Sequence, residues 1–215
     1  MRHSISRTLA NGLLTAMLAT TACALTSKAD LVDIRYFSPE RVKAGINNEA
    51  PRRTPQQEAL GVKLGRVTSG SNLRERIAYR NDVYELGHYE ELRWTERPET
   101  YVRRNVARSL FETHGLRRVL IGDAPTLDIE VLAFDDHRLS TGRSARIQLR
   151  VILYEDAGVL LEETLTIDRQ VEGQDSPIEH VIAAMADALD AASEEVSQKV
   201  YRALSTAARS TVEAP

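Results

Sequence analysis

Cysteine occurs once in this chain, at Cys23, directly behind Thr20-Thr21-Ala22. Its setting suggests one chemistry, acylation of the thiol. The chain opens with Arg2, His3 and Arg7 and no acid, then runs through an apolar stretch from Leu9 to Ala19. That stretch is about half the roughly 20 apolar residues a permanent spanning helix needs. A basic start, a short apolar core and small residues are what the secretion machinery reads as a signal peptide. A lipoprotein signal peptidase cuts before a cysteine whose sulfur already carries diacylglycerol. Its usual pattern sets an aliphatic residue three before the cysteine, where this chain has Thr20, with Leu18 two residues early. The alternative is an ordinary signal cut near Ala22, with Cys23 a bystander. A lone thiol in an oxidising compartment is a liability, however, and a thioether removes it. Each buried acyl methylene adds about 0.8 kcal/mol of membrane affinity. Ala24 rather than Asp follows the cysteine, which favours the outer membrane under the enterobacterial sorting rule.

Other chemistry is harder to assemble. The histidines His3, His88, His114, His137 and His180 are scattered, with no pair at metal-ligand spacing. With no second cysteine, a zinc site has no ligand set. Asp135-Asp136-His137 is the sole acid–histidine cluster, and it is expected as a solvated turn ahead of Gly142 rather than a catalytic or metal site. Thr68-Ser69-Gly70-Ser71-Asn72 is expected as a plain turn rather than an anion cradle. There is no nucleophile elbow, phosphate loop or dinucleotide fingerprint. No enzyme, no cofactor and no metal are therefore expected. Trp94 invites two assignments. With Tyr79, Tyr84 and Tyr89 it lines an aromatic surface for an acyl chain or partner, or it plugs the core where a hairpin meets a helix. The core carries more weight. Glu85, Glu90, Glu91 and Glu96 form a solvated acidic face that could receive a basic partner.

The elements that must position these residues begin late. Losing residues 1–22 removes Arg2 and Arg7, taking the formal charge from −3 to −5 and leaving no pull toward nucleic acid. Residues 23–59, punctuated by Pro39, Gly45, Asn47, Asn48, Pro51 and Pro55, are expected as a lipidated N-terminus and tether, holding one short strand over Leu31–Phe37 that could dock on the domain. The domain is placed at 60–206 and a flexible tail at 207–215. Leu60–Val67 alternates as a strand, and Arg76–Arg80 with Val83–Arg93 reads as a hairpin about Asn81-Asp82. A helix runs from Pro98 to Gly115. Strands follow at Arg117–Ile121, Leu127–Phe134, Ala145–Tyr154 and Val159–Val171. The last two are antiparallel neighbours about Asp156-Ala157-Gly158. The chain closes on a helix capped by Ser176 with Glu179 in the capping-box position. Its stripe of Ile178, Ile182, Met185, Leu189, Ala192, Val196, Val200 and Leu204 packs on the sheet, or mediates assembly into a homo-oligomer if its distal half overhangs. The expected fold is α/β, a mixed sheet with two helices packed on it.

Several of these segments together resemble the ABC-type transport auxiliary lipoprotein family that includes PqiC/YmbA-like proteins. They are Cys23, Asp33-Ile34-Arg35-Tyr36-Phe37 and Leu60–Val67, then Ile77-Ala78-Tyr79-Arg80, the run to Tyr89, and Leu92-Arg93-Trp94 with Pro98. Val106, Leu110, Leu127-Asp128-Ile129-Glu130-Val131 and the C-terminal helix complete the match. The segment 76–98 is the most specific part. Thr20 departs from the pattern, as does Tyr36-Phe37-Ser38 where a tyrosine pair and a leucine are common. The resemblance implies a three-layer α/β domain in the periplasm. It also implies an auxiliary role beside an ABC-type transporter with an MCE-domain component, handling lipids or other hydrophobic compounds. A stand-alone structural lipoprotein of the envelope is the other option. Replacing Cys23 by Ser should abolish uptake of labelled palmitate and partition into detergent; a mutant as membrane-bound as the parent would show a different anchor.

Overall fold

The computed structural model describes residues 33–41, 60–82 and 84–213. Cys23, the expected signal segment and most of the expected tether lie outside these residues. Eight strands and two helices appear in the order β1 (Arg35–Phe37), β2 (Gly61–Ser69), β3 (Arg76–Arg80), β4 (Leu86–Trp94), α1 (Pro98–Arg108), β5 (Arg117–Arg118), β6 (Thr126–Leu139), β7 (Gly142–Glu155), β8 (Gly158–Val171) and α2 (Ile178–Glu213).

The fourteen-residue strand β6 organises the sheet. One edge pairs along its whole length with β7, antiparallel, and β7 pairs in turn with β8. The other edge is shared. Parallel β2 takes the first half, from Lys63 opposite Thr126 to Ser69 opposite Val131. Parallel β3 takes the second half, with Ala78, Tyr79 and Arg80 opposite Asp135, Asp136 and His137. Outside β2 lies β5; outside β3 lie β4 and then β1. Gly65 is required at an irregularity in β2, because a Cβ there would sit 2.2 Å from the Asp128 carboxylate. That carboxylate accepts the Arg66 backbone N–H at 2.8 Å.

In β6, Leu127, Ile129 and Val131 face inward and are buried. Val131 pairs with Leu149 and Ala133 with Gln148, so Leu132 is an extra residue. Such a bulge bends the strand and reverses its alternation. Beyond it Phe134 and Asp136 take the inner side.

Proline is favoured at the first turn of a helix because its missing N–H would be unpaired there, and Pro98 opens α1 with Glu99 in the same turn. A π-helical turn, Ser109–Thr113, continues it, and Gly115 at φ +66° ends it. Tyr101, Val102, Val106 and Leu110 join Val181, Met185, Leu189, Val196 and Val200 of α2 in one core with the inner faces of β6 and β7. The expected mixed α/β sheet with two helices is what the structure shows. Both helices pack into one core with the sheet and touch each other. The opposite face carries polar pairs such as Arg146–Asp168 and Arg150–Glu162.

Four local expectations change. The last helix runs through Glu213, into the expected tail, since no Gly or Pro occurs between Ile178 and Glu213. Val196, Val200 and Leu204 are buried in the domain's own core, so the distal stripe is not an overhang. Ser176 does not cap α2; its hydroxyl bonds the Glu172 carbonyl, and Glu179 accepts from Arg35 at 2.5 Å. The fourth change concerns the tether: its expected strand docks on the domain, and the docking extends past Phe37 to Glu40 and Arg41. Arg41 meets Asp187 at 2.5 Å, and Glu40 accepts from Arg104 at 2.7 Å and from Asn105 at 3.1 Å.

Trp94, only 1% exposed, lies edge-on to Phe134 at 5.3 Å and to Tyr101 at 6.3 Å. The Tyr101 hydroxyl bonds Thr95 at 2.7 Å and the Glu96 backbone N–H at 3.0 Å. Trp94→Ala should therefore cost about 3–5 kcal/mol, read as a lower urea midpoint.

Candidate functional site

The bulge at Leu132 sends Asp136 into the layer between sheet and helices, where it is wholly buried. Arg143 grips it with both arms, Nε to Oδ1 at 2.9 Å and Nη2 to Oδ2 at 2.8 Å. Arg138 Nε adds a third contact at 2.9 Å, and the Tyr89 hydroxyl donates to Oδ2 at 2.6 Å. Arg138 also reaches the Tyr89 hydroxyl, and its guanidinium stands 4.9 Å from the rings of both Tyr79 and Tyr89. Those rings meet edge to face at 5.2 Å. Gly87 leaves room for them, because a Cβ there would lie 2.4 Å from the Tyr79 ring. Arg143 Nη1 donates to the carbonyls of Gln174 at 3.1 Å and Ser176 at 2.7 Å. The Asp136 carboxylate thus accepts four hydrogen bonds, three of them at Oδ2. What it does is tie β4, β6 and β7 to the entrance of α2.

Asp135-Asp136-His137 is therefore not the solvated turn expected. The strand runs on through it, and the compensating arginines stand beyond the cluster at 138 and 143, where turn signals masked them. Asp135 points to the opposite face, buried, with Arg80 Nε 3.3 Å from Oδ2 and no hydrogen-bond partner for Oδ1. Burial pushes its carboxyl above the ordinary value, and Arg80 opposes the shift. His137 beside it is held below the ordinary imidazole value, first by burial and then by Arg146. Among the described residues no group of three His, Cys, Asp or Glu could hold a metal ion.

Trp94 takes the core position that carried more weight, and the four aromatic residues of the alternative surface separate. Trp94 is in the core and Tyr79 and Tyr89 stack around Arg138, whereas Tyr84 is 92% exposed in the connection from β3 to β4. There Asp82 accepts the N–H groups of Tyr84 at 2.6 Å and Glu85 at 2.8 Å, which hold its carboxyl below the usual range. Of the expected acidic face, Glu90 and Glu91 are exposed, while Glu96 is committed to Arg104, which holds its carboxyl low.

One surface went unseen in the sequence. The strand expected over Arg117–Ile121 stops at Arg118, and the chain lifts away from the sheet. Leu120 is 82% exposed and Ile121 92%. Beside them Lys63, Leu64, Gly65, Arg103, Ala107, Arg118 and Val119 line an open cleft of about 370 Å³. Gly122, whose position after the apolar pair ends the expected strand, has φ +100°. Such backbone belongs to a turn rather than a strand.

The model of the ABC-type transport auxiliary lipoprotein component family matches residues 46–199. This chain belongs to that family. The match starts upstream of the domain boundary expected at 60 and ends within α2. A Xanthomonas campestris protein from a family of unknown function has the same fold: 20% identity, TM-score 0.65, covering 81% of this chain and 99% of that one. A second solved structure, of an uncharacterized protein, shares 12% identity with TM-score 0.60 over 78% of this chain and 99% of its own. No curated protein matches. Family membership associates the chain with the cell envelope, and none of its described helices is long and apolar enough to cross a membrane.

The two adjacent aspartates should respond oppositely to neutralisation. Asp136→Asn strands buried Arg143 and should cost about 3–5 kcal/mol. Asp135 carries a raised folded-state value, so its contribution is complete in acid and is lost as pH rises through that value. Asp135→Asn should therefore leave stability at neutral pH unchanged or higher and flatten its fall as pH rises from the ordinary carboxylate range. Urea unfolding across that range checks both.

Proposed function

We propose that this chain is a non-catalytic auxiliary lipoprotein of an ABC-type transport system with an MCE-domain component, serving the movement of lipids or other hydrophobic compounds. Diacylglycerol on Cys23 holds it in the envelope, facing the periplasm, with Ala24 directing it to the outer membrane. The observation that carries the proposal is the family match over residues 46–199.

The site chemistry supports binding over turnover. The buried acid with the most partners, Asp136, is held by two arginines and a tyrosine. The other buried acid, Asp135, lies against Arg80. The pinned segment 33–41 suits a domain that transmits position from an anchor, because its ion pairs reach both helices. The acidic Glu90 and Glu91 offer a face to a basic partner.

A tagged version of the whole chain, solubilised from envelopes in mild detergent, should bring down an MCE-domain protein together with a permease or ATPase. Deleting the gene should weaken the barrier to detergents and solvents. Recovery of no transport component from a cell that encodes one would overturn the assignment and favour a stand-alone structural lipoprotein.

A further inference from the structure

We propose that the cleft between β2, α1 and the connection from β5 to β6 docks on an anionic phospholipid surface. Lys63, Arg103 and Arg118 meet the headgroups, and Leu120 and Ile121 enter the outer acyl layer.

Charge is the first ground. Arginines and a lysine elsewhere on the domain, such as Arg104, Arg146, Arg150 and Lys199, are matched to carboxylates. Among the described residues Lys63, Arg103 and Arg118 form no ion pair, although they line one cleft that contains no acid. Two of the three are nonetheless held in place. Arg103 Nη1 donates to the Gly65 carbonyl at 2.7 Å, and the Arg118 guanidinium lies 4.4 Å from the Phe111 ring centre. Both arginines are exposed, with N–H groups left for an anion. The Asp128 carboxylate beside Gly65 is taken by Arg66, and Asp123, Glu155 and Asp156 line the neighbouring cleft, which Lys63 also borders.

Shape is the second ground. Leu120 and Ile121 are consecutive and almost fully exposed, an arrangement water disfavours without a partner. The base of their loop is fixed, since Arg117 N–H bonds the Leu60 carbonyl at 3.0 Å and Val119 N–H bonds the Val62 carbonyl at 3.1 Å. The tip beyond is free, with nothing within 4 Å of the position a Gly122 Cβ would take. A projecting apolar tip flanked by cations fits a bilayer interface, where apolar burial and attraction to anionic lipid add. It fits an acidic protein less well, because two side chains on a convex loop offer no groove to fill.

Proximity lets weak forces suffice. Each cation near an anionic bilayer contributes about 1 kcal/mol, too little alone for stable attachment. An anchor at Cys23 changes this. From Cys23 to Asp33 a chain reaches at most about 35 Å, at 3.3–3.6 Å per residue, so an anchor there would raise the effective concentration of the domain's surfaces at the membrane. Only this step rests on the proposed lipidation.

The test uses the whole chain carrying Cys23→Ser, so no thiol-linked lipid confuses it, with Ile121→Trp as reporter against the buried Trp94. Mixing with vesicles of phosphatidylcholine plus phosphatidylglycerol should shift the reporter's emission to the blue, and added salt should reverse the shift. Phosphatidylcholine alone should leave it unchanged. Lys63→Gln and Arg118→Gln should each weaken binding about fivefold, the equivalent of about 1 kcal/mol per cation. Residues 1–22 are common to every arm, so differences between variants report the cleft. The melting temperature of each variant guards against misfolding. No shift with anionic vesicles at low salt, equal shifts with both lipids, or indifference to the charge variants would overturn the proposal. So would capture of an acidic protein through Arg118 by a chain that ignores vesicles. Loss of vesicle binding with transporter capture intact would sink this site and leave the family assignment standing.

Discussion

A strand longer than its partners must find more than one partner along an edge, and β6 meets that requirement with β2 and β3 in succession. Backbone N–H and C=O groups left unpaired in a buried sheet cost about as much as lost hydrogen bonds. The 70–75 connection is therefore obliged to break one long run into two strands and return it to the same edge. Leu73 is buried in that connection, and the Glu75 carbonyl accepts Trp94 N–H at 2.6 Å. Thus the detour is itself part of the core's edge, and Trp94 stands where β4, the detour and α1 meet.

The second consequence of β6's length is its bulge. A strict alternation from Leu127 onward would put Ala133 and Asp135 against the helices and Phe134 and Asp136 on the open face. The extra residue at 132 exchanges them. Phe134 then completes the aromatic group with Trp94 and Tyr101, and Asp136 becomes the acid that Arg143 and Arg138 must neutralise. A buried ion pair of this kind is weak evidence of net stability, since desolvation offsets much of the attraction. Its effect is positional. Losing either partner strands a charge, so β4, β6, β7 and the start of α2 have one relative arrangement in which every charge is matched.

These demands leave the interactive surface at the margins. The helix-covered face is filled by the core, and the open face of β7 and β8 is covered by its own cross-strand pairs, Arg146–Asp168, Gln148–Thr166 and Arg150–Glu162. Unmatched cations and bare apolar side chains coincide where β5 ends after two residues and the chain crosses to the start of β6. A short edge strand followed by a projecting loop costs the sheet little. It lets that loop carry residues that no core contact constrains.

Sequence alone determined the elements whose signals are local. The clean alternation of 145–154, the Asp156-Ala157-Gly158 turn and the 3.6-residue stripe from Ile178 specify an antiparallel strand pair and a helix before any tertiary contact forms. The side-chain period of each element is a property of its own backbone. Cys23 and its basic, apolar and small-residue approach are likewise legible as a linear signal. The order of the elements implied the mixed α/β class, and the match over 46–199 places the chain in the family it resembles most specifically over 76–98. Tertiary structure alone decided the rest. Whether Asp135-Asp136-His137 is solvated depends on a bulge set by β7, and on arginines whose reach into the core no spacing rule reveals. Leu120 and Ile121 carry a strand's composition, yet they are lifted off the sheet because β2's edge pairs only as far as Arg118. Register and edge occupancy arise from pairing between segments far apart in the chain, and a single sequence read along its length does not contain them.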